Sequence, residues 1–193
     1  MNESELQEVS VSAASARIME KDAVRVIKDP AVTAFDEPTF AKLNGVRFKD
    51  GTIAVQVLSK LLASAPDFAR GFIGIAFRIS EDNAMFECIY LRPTNGRAGQ
   101  QLRRNRSIQY FSFPDFKFER LRNEAPGEYE AYADMGVNEW IDLTIEVQGA
   151  QAKLFLNGHT QPALIVNDLK HGSDTSGAIG LWVDLGMEGI LPT

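Results

Sequence analysis

Cysteine is nearly absent. The single thiol, Cys88, excludes an intramolecular disulfide and, set within a strand-like run, reads as a small buried hydrophobe. Histidine is almost as scarce: His159 and His171 stand apart from each other and from Cys88, so no zinc-binding spacing arises. No apolar run approaches the roughly 20 residues that a membrane span requires, and no membrane partner is expected. The opening MNESELQEVS lacks the basic start and apolar middle of a secretory signal. The expected compartment is the cytoplasm as the chain stands, or the periplasm or exterior if a leader was trimmed. Positive charge is also short. A net charge of −6 disfavours nucleic acid and anionic surfaces as partners. Neither a serine nucleophile elbow nor a phosphate-cradling loop occurs, and no stretch repeats or is of low complexity.

What is present centres on residues 71–112. Residues 71–79 and 84–92 are rich in Ile, Phe and Tyr, and Glu81-Asp82-Asn83 separates them, which predicts an antiparallel hairpin. In the first arm Ile73, Ile75, Phe77 and Ile79 share one face. The second arm carries a charge on either face, Glu87 on one and Arg92 on the other, as expected of a central strand covered on both sides.

Around this hairpin, further short strands are expected at residues 23–27, 52–58, 129–133, 140–147, 152–156, 163–166 and 178–183. The run 140–147 alternates most clearly, with Ile141, Leu143, Ile145 and Val147 inward and Asp142, Thr144 and Glu146 outward. Asp50-Gly51 and Asn157-Gly158 are hairpin-turn signals. Residues 1–16 read as a loose lead. One all-β domain over residues 1–193 follows, a two-sheet antiparallel β-sandwich or jelly roll. Its expected inter-sheet core is Ile73, Ile75, Phe77, Leu143, Ile145, Leu154, Leu156, Ile179 and Leu181.

The order FKDGTI, GFIGIAFRI, FECIYLRP, NEWIDLTIEV, AKLFLNG and GAIGLW resembles the concanavalin A-like lectin/glucanase superfamily over residues 39–183. It is most similar to the laminin-G-like branch and to bacterial domains of the 3-keto-disaccharide hydrolase type. The resemblance implies the fold, and with it either glycan binding or glycoside processing. Such domains finish with another strand after G-L-W. Here GMEGILPT follows, so the final strand is expected to be missing or altered after residue 186.

The loop after the hairpin concentrates Arg92, Arg97, Arg103, Arg104 and Arg106 with Asn95, Gln100, Gln101, Asn105 and Gln109. Guanidinium forks match carboxylate, sulfate or phosphate, and amides match sugar hydroxyls. The competing expectation is that these arginines pair with Glu87, Glu119, Glu124, Glu130 and Asp134 and hold the loop. Trp182 alternates with Ile179, Leu181 and Val183 and is the preferred aromatic plate for a pyranose. The expected ligand-binding set is therefore Arg78, Tyr90, Arg92, Asn95, Arg97, Gln109 and Trp182, bordering one concave surface on the open face of the sandwich. A carbohydrate or small anionic ligand is the expected partner.

For catalysis, the E-x-D-x-E strand motif of the glucanases is absent. Glu87, in a strand among apolar neighbours, is the acid candidate for a glycoside hydrolase with an unfamiliar carboxyl pair, although pairing with Arg78 or Arg92 competes with that role. No cofactor is expected, apart from a calcium ion held by loop oxygens such as those of Asp168 or Asp174. The run QYFSFPDFKF invites a base-stacking reading, which the negative net charge opposes.

Overall fold

In the computed structural model, which describes residues 5–193, the chain builds fourteen strands and three short helical segments. The first strands are β1 (Leu6–Val9), β2 (Val11–Ile18), β3 (Lys21–Lys28), β4 (Phe40–Leu43) and β5 (Gly51–Leu61). The central hairpin is β6 (Ile73–Ile79) and β7 (Phe86–Leu91), followed by α1 (Pro93–Gly96), α2 (Gln101–Arg104) and β8 (Ile108–Phe113). Then come α3 (Phe118–Glu124), β9 (Glu130–Ala131), β10 (Trp140–Gln148), β11 (Gln151–Leu156), β12 (Leu164–Val166), β13 (Ala178–Val183) and β14 (Met187–Pro192).

The strands form two antiparallel seven-stranded sheets. One has the order β1-β4-β13-β6-β7-β8-β9, the other β12-β11-β10-β5-β14-β3-β2. The all-β sandwich expected from the strand pattern is the observed architecture. Every residue of β6 and β7 is buried, as the charge-on-either-face pattern of the hairpin requires. β10 alternates as its sequence demands, with Ile141, Leu143, Ile145 and Val147 buried against the other sheet. Of the expected core, Ile179 alone is only half-buried, beside an irregularity in the pairing of β13 with β6 between Ala178 and Gly180. Asn157 and Gly158 take φ of 51° and 71°, the positive pair that a type I′ turn needs.

Two expectations about the termini are overturned. The loose lead does not describe residues 6–9 and 11–16, which are strand: β1 pairs with β4 at one sheet edge and β2 pairs with β3 at the other. Residues 1–4 lie outside the described residues. Of the expectation that the final strand is missing or altered, the first alternative falls, because residues Met187–Pro192 form β14. β14 sits inside the second sheet, paired with β3 on one side and β5 on the other. Its backbone hydrogen-bonding demand is met by both neighbours, which outweighs the weak strand signal of GMEGILPT.

The outer face of the first sheet is not open. Phe40, Phe86, Tyr90, Phe111 and Trp182 all belong to that sheet and are buried. Residues 29–39 and the segment leading into α3 cover the sheet as a roof. Trp182 Nε1 donates to Glu37 O at 2.9 Å, and Lys117 Nζ donates to Phe35 O at 3.2 Å and pairs with Glu37. Among the described residues no helix is long and apolar enough to cross a membrane.

Candidate functional site

Arg92 directly follows β7, Pro93 then opens α1, and the chain turns through α1 and α2 before re-entering the sheet as β8. Arg92 is almost wholly buried, and both of its terminal nitrogens are engaged from within. Nη2 donates to Tyr90 Oη at 2.7 Å and to Gln109 Oε1 at 3.3 Å. Nη1 donates to Arg106 O at 3.3 Å and to Glu130 Oε1 at 3.4 Å. Glu130, on β9, is the counter-charge for three arginines at once, since Arg122 of α3 and Arg106 pair with it too. Burial pushes the Tyr90 phenol well up despite the nearby Arg92, so it stays a neutral hydrogen-bonding group.

In front of this cluster lies a cavity of about 230 Å³. Five guanidinium groups line it: Arg70, Arg92, Arg103, Arg106 and Arg122. Its aromatic walls are Phe35, Phe68, Phe72, Tyr90 and Phe118. Phe35 anchors the wall edge-on, with ring centroids 5.7 Å from Phe68, 5.9 Å from Phe72 and 6.0 Å from Phe118. Phe68 is 49% exposed and presents its ring to solvent.

Arg70 is fixed by backbone oxygens, with Nη1 donating to Asp67 O at 2.6 Å and Ala69 O at 2.9 Å. Arg103 Nε donates to Asn95 Oδ1 at 3.2 Å, and Asn95 Nδ2 donates to Arg106 O at 3.1 Å. Among the described residues, Glu130 is the one carboxylate in ion-pair contact with any of the five, and neither Arg70 nor Arg103 reaches it. Partial burial, then the charges of Arg103 and Arg92, hold the Arg70 guanidinium below its usual value. Partial burial and Arg122 act likewise on Arg106, against the opposing pull of Glu130. Like charges held this close with few counter-charges form a site that an anion stabilises.

Of the residues singled out from sequence, Tyr90, Arg92 and Asn95 line this cavity, and Gln109 supports it from behind through Arg92. Arg78 is elsewhere. Its buried guanidinium donates to Lys49 O at 2.9 Å, Gly172 O at 2.8 Å, Gly149 O at 2.7 Å and Asp50 Oδ1 at 3.2 Å, tying three loops together. Arg97 forms exposed ion pairs with Asp134 and Glu139 and does not line the cavity. Trp182 is fully buried under the roof and offers no accessible plate.

Glu87 pairs with neither Arg78 nor Arg92. It faces inward beside Phe77, accepting from Tyr110 Oη at 2.7 Å and from His171 N at 2.9 Å. Asp168 accepts from Tyr129 Oη at 2.7 Å and Lys170 Nζ at 2.5 Å, while Asp174 pairs with Lys49 in the open. No group of three or more His, Cys, Asp or Glu side chains suited to a metal ion occurs among the described residues.

Sequence reasoning missed Arg70, Arg122 and the phenylalanine wall, and it left Arg103 and Arg106 out of the expected ligand-binding set. A signal existed for some of them. Phe68, Arg70 and Phe72 recur at every second position, and Phe118 and Arg122 are spaced i, i+4 on a helix. That the two segments meet across the end of β7 is tertiary information.

The chain is similar in structure to a carbohydrate-binding module, CBM66, from Bacillus subtilis, with a TM-score of 0.56 at 12% identity, covering 97% of this chain and 94% of that one. It is also similar to a protein of unknown function with a galectin-like fold from Bacillus subtilis, with a TM-score of 0.52 at 9% identity, covering 97% and 95%. No family model matches the sequence, and no curated protein matches it. At such identities the likeness is one of fold alone, a β-sandwich of the kind those two structures have.

Proposed function

We propose that the protein is a carbohydrate-binding module whose arginine-lined cavity holds a sugar bearing an anionic group. The observation that carries this reading is the charge imbalance of the cavity: five guanidinium groups, one contacting carboxylate and an aromatic wall. Arg70 and Arg103 retain free N–H donors beside the exposed ring of Phe68. An oxyanion satisfies the first pair, and the apolar face of a pyranose suits the second. The volume falls below the roughly 300–1,000 Å³ of sites for drug-sized ligands, which suits one sugar residue rather than a run of them. The open sheet face anticipated from sequence is roofed, so the cavity at its end takes its place.

Binding is favoured over hydrolysis by the side chains themselves. Among the described residues no carboxylate lines the cavity, and a glycosidase needs two flanking its bond. Glu87 is fully buried with both oxygens engaged. Calorimetric titration with methyl glucuronoside and with methyl glucoside tests the reading. The uronate should bind and weaken as salt is added, while the neutral sugar binds far less. Equal affinity for the two, or binding that survives Arg103→Ala, would overturn it.

A further inference from the structure

Behind the aromatic wall of the cavity sits a buried acid that ligand contact does not use. Asp36 lies in the roof between Phe35 and Glu37, at φ 55° and with no exposed surface. Its Oδ2 accepts the backbone N–H of Phe118 at 2.7 Å, which ties the roof to the first turn of α3. That helix carries Phe118 and Arg122 into the cavity. The backbone N–H of Asp36 donates to Asp184 Oδ2 at 3.1 Å, and Asp184 is itself bound to Lys28 at 2.6 Å. The other oxygen, Asp36 Oδ1, is buried with no hydrogen-bond partner.

The groups around Asp36 come from every element packed on it. Asp184 approaches from the end of β13, with Lys28 of β3 behind it. Lys117 approaches from the segment before α3 and is paired with Glu37. Arg92 lies at the end of β7, and Cys88 and Tyr90 on β7 contribute a thiol and a phenol. Arg92 is the charged member that also lines the cavity, so its positive field acts on Asp36 and on any anion bound there.

We propose that Asp36 is a positioning residue of the cavity, and that an oxyanion bound in front of Arg92 is taken up together with a proton on Asp36. This rests on the reading of the cavity as an anion site. The ionised carboxylate competes with the ligand for the field of Arg92 and is repelled by the ligand charge, whereas the neutral acid does neither. Burial is what brings the exchange within reach: with Asp184's repulsion it pushes the Asp36 carboxyl up to about 7, against the Phe118 N–H, Arg92 and Lys117. An anion placed nearby raises it further. By linkage, affinity then rises as pH falls through the interval between the bound and free values, and levels off below the free value. A further rise of half to one unit corresponds to about a three- to tenfold gain in affinity.

The test uses inorganic sulfate and methyl glucuronoside, both fully ionised near neutrality. Titrations from about pH 8.5 to about pH 5.5, repeated in buffers of different ionisation enthalpy, should show tighter binding at the acid end and net proton uptake near neutrality. Asp36→Asn should bind both probes with an affinity that no longer changes with pH. Proton uptake by the wild-type protein stands as the independent measurement should that variant fold poorly. Binding without proton uptake, or a pH dependence that persists in Asp36→Asn, would overturn the role of Asp36 and leave the anion site standing. If neither probe binds at low salt at any pH, the anion site falls, and this proposal with it.

Discussion

The rings of Tyr90 and Trp182 lie 4.7 Å apart, tilted by 40°, on either side of Gly74. A Cβ on Gly74 would come within 2.5 Å of Tyr90 Cα, so glycine is what lets the flanking strands bring these two rings together. Both rings are buried beneath the roof. Their joint role is to support the cavity from behind: Tyr90 positions Arg92, and Trp182 holds Tyr90 and the roof carbonyl of Glu37.

Trp182→Ala should therefore act on stability. A loss of about 3–5 kcal/mol is expected for truncating a fully buried aromatic, read as a shift in the denaturant midpoint. Trp182→Phe, which keeps most of the packing, should still bind an acidic sugar. Loss of binding with unchanged stability would reassign Trp182 to the ligand.

Arg70 and Arg103 should carry most of the direct contact. Charge-assisted hydrogen bonds are worth about 1.5–3 kcal/mol, so Arg70→Ala or Arg103→Ala should weaken binding of methyl glucuronoside roughly ten- to hundredfold. Arg97→Ala breaks only exposed pairs with Asp134 and Glu139 and should stay within about twofold of wild type. Calorimetry on the three variants separates direct contact from scaffold.

Stability should fall as the solution is made alkaline through neutrality. Asp36 is raised from 3.8 to about 7, chiefly by burial, and burial also raises Asp184. An acid raised in the folded state favours folding most where it is protonated in both states, and that advantage is lost as pH climbs from the unfolded value to the folded one. Thermal unfolding midpoints should be higher near pH 5 than near pH 8, and Asp36→Asn should flatten the difference. A wild-type midpoint that rises over this interval would contradict the burial of Asp36.

Glu87→Gln should leave sugar binding unchanged and cost about 1–3 kcal/mol, because the amide replaces a carboxylate oxygen that accepts from Tyr110 or His171. Denaturant titration gives the cost, and calorimetry the unchanged affinity. Activity on aryl-glycosides that vanishes in this variant would return Glu87 to a catalytic role.

The sheet core was legible because period-two alternation in β10 and β11 and the apolar row of β6 leave one arrangement that hides both faces. β2 was illegible because only Val11 and Ala13 are buried along it, and the alanines that make up much of the strand are too small to show a pattern. β14 was illegible because its signal is a few apolar residues among glycine and proline, while its place comes from two distant partners. For the site, Arg92 and its loop stood out by composition alone. Their counterparts Arg70 and Arg122 come from other segments, and burial under the roof decided which aromatics face solvent.

The placement of β14 has a kinetic consequence. Its neighbours β3 and β5 come from the early part of the chain, and no strand but β14 joins them. Until it arrives, β2 and β3 form a ribbon separate from β5, β10, β11 and β12, with two long edges unpaired. Completing the sheet means closing the longest loop in the molecule, a slow step in chain entropy. Folding should be limited by that insertion, and the half-built sheet, with its exposed edges, is the state most prone to pair with another chain.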